Sequence, residues 1–309
     1  MNTRLPLPFP SGWFRVCESG QLGVGEVRAV RYFGQELVLF RDEGGVAHVM
    51  DAYCRHLGAH LGYGGKVEGE CIRCPFHAWL YDGSGRCVEI PYAKRIPPKA
   101  AIKAWPVCER NGMVMTWYHK DDGPPTWELP EVAEMDSGQW TDPVVRSWTV
   151  RSHPQEQMEN IVDPAHFQVV HGTPGPPAPV ARTDGHIFRV ESTLPFTTPG
   201  GEIAGHLTIE SHGFGLGLTR FSGIVDTLLV ITGTSVEEDL HETVLRFMVK
   251  KMSDESITST VGEAFIAEIE RQYSQDIPIW ENKTYLPRPL LCDGDGPIGQ
   301  VRSWAKQFY

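Results

Sequence analysis

Two short segments pair a cysteine with a histidine, Cys54-Arg-His56 and Cys74-Pro-Phe-His77, with 17 residues between the pairs. Turn formers flank both: Gly58 and Gly62 for the first, Pro75, Gly83 and Gly85 for the second. Each pair is therefore expected on a loop between strands. Two such loops facing each other could clamp a metal centre. One chemistry is a structural zinc ion with tetrahedral N/S ligation. The other is a [2Fe–2S] cluster whose two irons take two thiolates and two imidazoles respectively. One Cys and one His per loop suits the second, because each loop then reaches both irons. Neutral imidazoles leave such a cluster less negative than four thiolates would, so it is more easily reduced. Cys71 and Cys74 form a C-x-x-C, but a zinc set of Cys54, His56, Cys71 and Cys74 would leave His77 unexplained. Seven cysteines cannot all pair as disulfides. Cys17, Cys87, Cys108 and Cys292 fit no ligand spacing and read as small apolar residues. His60 also lies outside the spacing and reads as structural.

A second constellation runs Glu-Asn160-Ile-Val-Asp163-Pro-Ala-His166-Phe-Gln-Val-Val-His171-Gly. Its histidines are five apart, about 140° around an ideal helix, so a regular helix would not present them on one face. Either the helix ends there, with Gly172-Thr-Pro174 as the stop, or a π-bulge brings the imidazoles together. Two such histidines and a distant carboxylate would form a facial triad that leaves positions open on Fe(II). Candidate carboxylates are Asp184, Asp226, Glu263 and Asp276. Ile269, Tyr273, Asp276 and Trp280 step by four, three and four, which sets Asp276 on an otherwise apolar helical stripe. A carboxylate there must be paired or metal-bound. Asp163 before Pro164 also has the form of a helix N-cap.

The elements that must position these residues divide into two sets. Residues 1–119 read as short strands, among them 28–32, 36–41 and 46–50, with 114–118 as a closing strand. The Pro/Gly-rich segment 120–126 reads as a linker, which gives domains of 1–134 and 135–309. The second half carries a helical patch at 155–171, then strands near 186–192, 203–210, 214–221, 227–235 and 243–249. A long helix follows near 261–283, with Pro278 expected to distort it, and a last helix starts near 297. Strands followed by helices indicate α+β, with helices on one antiparallel sheet. Alternating Ile203, Leu207 and Ile209, Leu216 and Leu218, and Leu228 and Val230 suggest an apolar pocket wall. The loop 173–179 follows His171 and is expected to roof the site.

Cys-Arg-His-Leu-Gly-Ala-His-Leu and Cys-Pro-Phe-His-Ala-Trp resemble the two cluster loops of Rieske proteins. The second segment resembles the motif N-x-x-D-x-x-H-x4-H of Rieske non-heme iron oxygenases. Ile279-Trp-Glu-Asn-Lys283, Pro289-Leu-Leu-Cys292, Arg302-Ser-Trp304 and Gln307-Phe-Tyr309 are similar to 3-ketosteroid 9α-hydroxylase oxygenases and cholesterol 7-desaturases. Glu159 to His166 also resembles pheophorbide-type oxygenases. The resemblance implies an all-β Rieske [2Fe–2S] domain followed by an antiparallel-sheet helix-grip (START-like) catalytic domain. It implies a [2Fe–2S] cluster on Cys54, His56, Cys74 and His77, and Fe(II) on His166, His171 and Asp276, with O2 as co-substrate. Asn160 and Asp163 become catalytic-site residues. Asp163 would bridge His166 to the cluster histidine of a neighbouring subunit, hence a homotrimer. The expected activity is that of a terminal oxygenase, a monooxygenase hydroxylating or desaturating a large apolar substrate such as a steroid or polycyclic compound. O-demethylation or ring oxygenation of an aromatic compound is the alternative enzyme reading. An electron carrier without iron chemistry of its own needs only about 110 residues, and would leave the second motif unexplained.

Composition narrows the partners. With 28 basic and 39 acidic side chains the net charge is −11, which argues against nucleic acid or an anionic membrane surface. The N-terminus has no secretory signal, and no apolar run reaches a membrane span, so a cytoplasmic location is expected. Gly213-Phe-Gly-Leu-Gly217 lacks dinucleotide spacing. Electrons from NAD(P)H would then have to come through a separate reductase or ferredoxin.

Overall fold

The computed structural model describes residues 4–309 except 173–178, 199, 200 and 224; side chains from 194 to 203 are also left undescribed. The chain divides into a unit of Trp13–Leu129 and a unit of Met1–Gly12 with Pro130–Tyr309.

The first unit is all β. Its strands are β1 (Gly12–Glu18), β2 (Val27–Tyr32), β3 (Gln35–Arg41), β4 (Ala47–Asp51), β5 (Lys66–Glu68), β6 (Cys71–Arg73), β7 (Leu80–Asp82), β8 (Cys87–Glu89), β9 (Ala104–Trp105), β10 (Val107–Arg110) and β11 (Met113–Tyr118). They form three small sheets, ordered β1-β11-β10, β2-β3-β4-β9 and β5-β6-β7-β8. The four longer strands read from sequence lie within a residue of these bounds; the three-residue strands are too short for alternation to register. Leu37 to Phe40 on β3 are all fully buried, as a strand covered on both faces requires. The core also holds Cys54, Leu61, Ile72, Cys74, Trp79 and Tyr81. One candidate loop joins β4 to β5 and the other joins β6 to β7. The segment 120–126 has no regular structure. Trp127 beyond it returns to stack edge-on to Trp117 at 4.5 Å, which carries the unit to Leu129.

The second unit holds α1 (Ala133–Asp136), β12 (Val144–Val150), α2 (Pro154–Ile161), α3 (Pro164–His166), β13 (Val180–Asp184), β14 (Ile187–Thr198), β15 (Gly201–His212), β16 (Leu216–Ser222), β17 (Thr227–Glu237), β18 (Leu240–Val249), α4 (Glu255–Asn282) and α5 (Ile298–Ala305). One seven-stranded antiparallel sheet runs β12-β18-β17-β16-β15-β14-β13. The edge strands β12 and β13 escaped the sequence reading. Their side chains are mostly exposed, so they carry no apolar alternation. α4 begins on an Asp254 cap that accepts from Ser256 N–H. It lays Phe265, Ile266, Ile269 and Tyr273 on Leu229, Ile231, Leu245 and Phe247, an i, i+3, i+4 stripe. It runs through Pro278 to Asn282, so the proline removes one backbone donor without ending the helix.

Residues 1–12, assigned to the N-terminal domain from sequence, belong with the second unit instead. Arg4 donates to the carbonyls of Trp280 and Lys283, and Ser11 N–H to that of Phe308. A strand-rich pattern cannot reveal such side-chain anchoring. Among the described residues no helix is long and apolar enough to cross a membrane.

Candidate metal centres

In the first unit the two Cys/His loops adopt the same backbone turn. Cys54 N–H donates to Ala59 O and Gly58 N–H to Cys54 O, at 2.9 and 3.0 Å. Cys74 N–H donates to Trp79 O and Ala78 N–H to Cys74 O, at 2.8 and 3.1 Å. The fourth residue after each cysteine is left-handed, Gly58 at φ 74° and Ala78 at φ 59°. Glycine takes this conformation without strain and alanine does so at a cost of about 1 kcal/mol. The loops bring the rings of His56 and His77 to 4.7 Å. Both cysteines are buried. Burial pushes the Cys54 thiol up, and the adjacent Cys74 sulfur adds to this. A bare Cys54 thiol is thus protonated, and a bound cation would release its proton.

The donor set fits two irons better than one ion. Tetrahedral zinc would draw all its donors to within about 4 Å of one another. Among the described residues, one group of three or more His, Cys, Asp and Glu meets a 4.8 Å limit, and it is not here. Cys71 therefore completes no single-ion set. His56 Nδ1 is buried without a hydrogen-bond partner, as a ligand atom would be. The His56 ring stacks on Trp79 at 4.9 Å, and Trp79 Nε1 donates to Tyr92 Oη at 2.8 Å. Tyr81 escaped the sequence reading. Its hydroxyl lies 3.1 Å from Cys54 Sγ and accepts from Arg55 N–H. The available signal was a core tyrosine, whose hydroxyl must find a partner.

In the second unit the close group is His166, His171 and Asp276. α2 ends at Ile161, Asp163 caps α3 by accepting from Ala165 N–H at 3.0 Å, and residues 167–171 form a π turn. Gly172 at φ 67° then stops the helix. Both expectations for the five-residue spacing are met: a π turn widens the helix and a left-handed glycine ends it. The imidazoles come to 5.0 Å. His166 Nδ1 is held by Asp163 O at 2.6 Å, and His171 Nδ1 by Gln275 Oε1 at 3.0 Å. These contacts fix each ring and leave both Nε2 atoms facing inward. His171 Nε2 is 3.5 Å from Asp276 Oδ2. Asn160 Nδ2 donates to that oxygen at 3.0 Å and lies 3.2 Å from His166 Nε2. Asp276 is 6% exposed. Burial raises its pKa, opposed by His171, His166 and Asn160. A buried carboxylate with two inward imidazole nitrogens is a donor set for a divalent cation. The other carboxylates weighed from sequence, Asp184, Asp226 and Glu263, are not in the group. Gly296 packs so closely behind α3 that a Cβ there would strike Val162 O.

A cavity of about 160 Å³ opens on this group, walled by Leu229, Ile231, Leu245, Ile269 and Trp280 among others. Leu228 and Val230 were expected in the wall, but they point to the opposite sheet face, since successive side chains alternate. The apolar runs on β17 are buried on both faces, so their sequence has no alternation that tells inside from outside. The roof expected from 173–179 falls, but for Pro179, outside the described residues.

Residues 116–309 match the family described as 3-Ketosteroid 9alpha-hydroxylase C-terminal domain, and residues 12–106 match the Rieske [2Fe-2S] domain. The oxygenase component of a 3-ketosteroid-9-alpha-monooxygenase from Rhodococcus rhodochrous is 35% identical, over 98% of this chain and 85% of its own length. The cholesterol 7-desaturase of Caenorhabditis elegans is 33% identical, over 99% and 78%. Among solved structures, Pseudomonas putida CBB5 NdmA with caffeine aligns at TM-score 0.78 and 21% identity, over 95% of this chain and 89% of that one. Apo dicamba monooxygenase aligns at 0.76 and 14%, over 97% of each; both likenesses speak to fold. With a Rieske unit, a mononuclear-metal donor set and relatives matched along nearly its whole length, the chain belongs to the Rieske non-heme iron oxygenases, as an oxygenase component that uses a [2Fe–2S] cluster, a mononuclear iron and O2.

Proposed function

We propose that this oxygenase hydroxylates or desaturates a steroid or a similar polycyclic compound. The observation that carries this reading is the apolar cavity opening on His166, His171 and Asp276, in a chain about a third identical to steroid- and sterol-oxidising relatives. Cys54, His56, Cys74 and His77 would hold the cluster, and His166, His171 and Asp276 the mononuclear iron. When bound, the cluster supplies single electrons and the iron activates O2 for attack on a carbon–hydrogen bond. The protein's own residues set the stage. Gln275 and the Asp163 carbonyl orient the imidazoles, Asn160 steadies the Asp276 carboxylate, and the aliphatic wall excludes water from the bound substrate.

Asp163 is read as the bridge toward His77 of a second copy in a homotrimer. Its carboxylate is about a third exposed and spends one oxygen on the Ala165 cap, and a carboxylate has lone pairs to spare. Electrons would come from a separate NAD(P)H-dependent reductase or ferredoxin, in the cytoplasm. The alternative, an O-demethylase or ring oxygenase acting on an aromatic compound, is the lesser reading, supported only by likeness of fold to the caffeine- and dicamba-oxidising structures, and the electron-carrier reading leaves the second unit without a purpose.

Metal analysis after anaerobic Fe(II) loading tests the assignment. About three irons and two sulfides per chain are expected. Asp276→Ala should lose the mononuclear iron alone, and Asp163→Ala should keep all three yet abolish NAD(P)H-coupled turnover. Iron retained in Asp276→Ala would move the third ligand elsewhere. Turnover of methoxyaromatics but not steroids with a surrogate reductase would overturn the substrate reading.

A further inference from the structure

The α2 residues Pro154, Gln157, Met158 and Ile161 step by three, one and three, which sets them on one helical face. Gln157 and Ile161 border the cavity that opens on His166, His171 and Asp276. With Pro154 and Met158 they also border a second cavity of about 60 Å³. On β17 alternate residues point inward. Leu229 and Ile231 wall the first cavity, and Ile231 and Gly233 the second. Gln157, Ile161 and Ile231 are therefore a partition between two adjoining spaces. Asn160, next to Ile161 in the chain, bonds Asp276 at 3.0 Å, so the partition stands beside the metal-facing groups.

Three properties of the second cavity define its ligand. It is made by missing side chains, since Gly213, Gly217 and Gly233 line it. A Cβ at Gly233 or Gly217 would meet its nearest neighbour at 3.8 or 3.5 Å, ordinary contact distances. Alanine would thus fit at either place, and a void that a methyl could fill is left open at a cost in packing. Its side-chain polar groups are engaged. The Gln157 amide is held by Tyr273 Oη at 3.1 Å and by Thr243 Oγ1 at 3.3 Å. Ser211 Oγ donates to Met158 Sδ at 3.4 Å. His241 turns its Cδ2–Nε2 edge to Gly233, and Nε2 lies 2.8 Å from Thr243 Oγ1. Nδ1 is on the far side of that ring, toward the Ser152 backbone. A buried water needs about two to four polar partners, so a space whose polar groups are engaged elsewhere stays dry and takes apolar guests. Finally, it is small. An apolar cavity of about 150 Å³ holds one benzene, so this one excludes a ring and admits a diatomic molecule or a xenon atom. O2 is the one reactant of this enzyme that is both apolar and diatomic.

We propose that this glycine-lined cavity is a holding site for O2, which passes Ile161 and Ile231 into the metal-facing cavity while the bound substrate fills that cavity. Resting on the assignment of iron to His166, His171 and Asp276, the site lets O2 arrive from the Gly233 side rather than along the substrate's own path. Gln157, held at both ends of its amide, is the fixed member of the partition. The two isoleucines are the members whose rotamers can turn.

Xenon is the probe, because it is apolar, small and visible by its anomalous scattering. Crystals of the full chain pressurised with xenon should show a peak beside Gly233, and the double variant Gly217→Ala, Gly233→Ala should abolish it. No peak in the unaltered protein, or ordered water in its place, would overturn the proposal. Neither result depends on the iron assignment, which metal analysis of Asp276→Ala tests separately. In turnover of androst-4-en-3-one with a surrogate reductase, the double variant should raise the KM for O2 by about threefold or more. The Kd of the steroid should stay within about twofold, and Tm should not fall, since alanine restricts the unfolded chain and fills the void. An unchanged KM for O2 in a variant that no longer takes xenon would sink the idea. A parallel rise in the steroid Kd would make the space part of the substrate pocket and contradict a separate O2 site. Should the steroid not turn over at all, the steroid reading fails, and the xenon peak alone decides this one.

Discussion

Tyr81 shows how one side chain can tune a centre it does not ligate. Its hydroxyl lies on Cys54 Sγ, and a hydrogen bond to a cluster sulfur favours the reduced, more negative state. Tyr81→Phe should therefore lower the cluster potential by on the order of 40 mV, the one-electron equivalent of about 1 kcal/mol. Redox titration followed by the cluster's EPR signal measures it, and an unchanged midpoint would remove Tyr81 from the electron-transfer account. The contrast between Tyr81 and its neighbours marks what sequence can carry at this scale. Cys54, His56, Cys74, His77, His166 and His171 stand out in the sequence as candidate ligands because ligand chemistry restricts residue type and spacing. The place of Asp276 beside His166 and His171 was foreshadowed because a carboxylate on an apolar stripe needs a reason. Tyr81 and Gln275 were not, since tyrosine and glutamine suit many sites and their partners lie far along the chain.

At the scale of elements, α2 depends on an unusual cap. His153 Nδ1 accepts from Gln155 N–H at 3.1 Å, while Nε2 lies 3.1 Å from Pro8 O and donates to it. The folded state needs this tautomer neutral. Burial pulls the His153 pKa from 6.5 to about 4. A folded pKa below the unfolded one means that the contribution is complete above about pH 6.5 and is lost as pH falls toward about 4. The full swing is roughly 3 kcal/mol. His153→Asn replaces the capping nitrogen with an oxygen that does not titrate and should flatten the fall of Tm between pH 7 and pH 5. An identical fall in the variant would place the acid sensitivity on other groups. Sequence reading placed this helical patch but not its cap, because histidine is a rare capping residue. It also left the 166–171 turn open, since a π turn and a helix end both solve the five-residue spacing. The structure uses them in succession.

For the molecule as a whole, sequence identified two halves and their chemistry but not the path of the first dozen residues. Arg4 and Ser11 tie that segment to Trp280, Lys283 and Phe308, and Pro8 closes on His153. Deleting residues 1–11 should therefore depress the thermal transition of the iron-binding unit and leave the visible absorbance of the cluster unit intact. Differential scanning calorimetry alongside cluster absorbance separates the two, and bleaching of the cluster would contradict it. The same path makes Trp13–Leu129 an insertion flanked on both sides by segments of the other unit. An insertion with one entry and one exit can be exchanged as a cassette. Redox units of different potential could then be grafted between Gly12 and Pro130, separating the evolution of electron delivery from that of substrate choice.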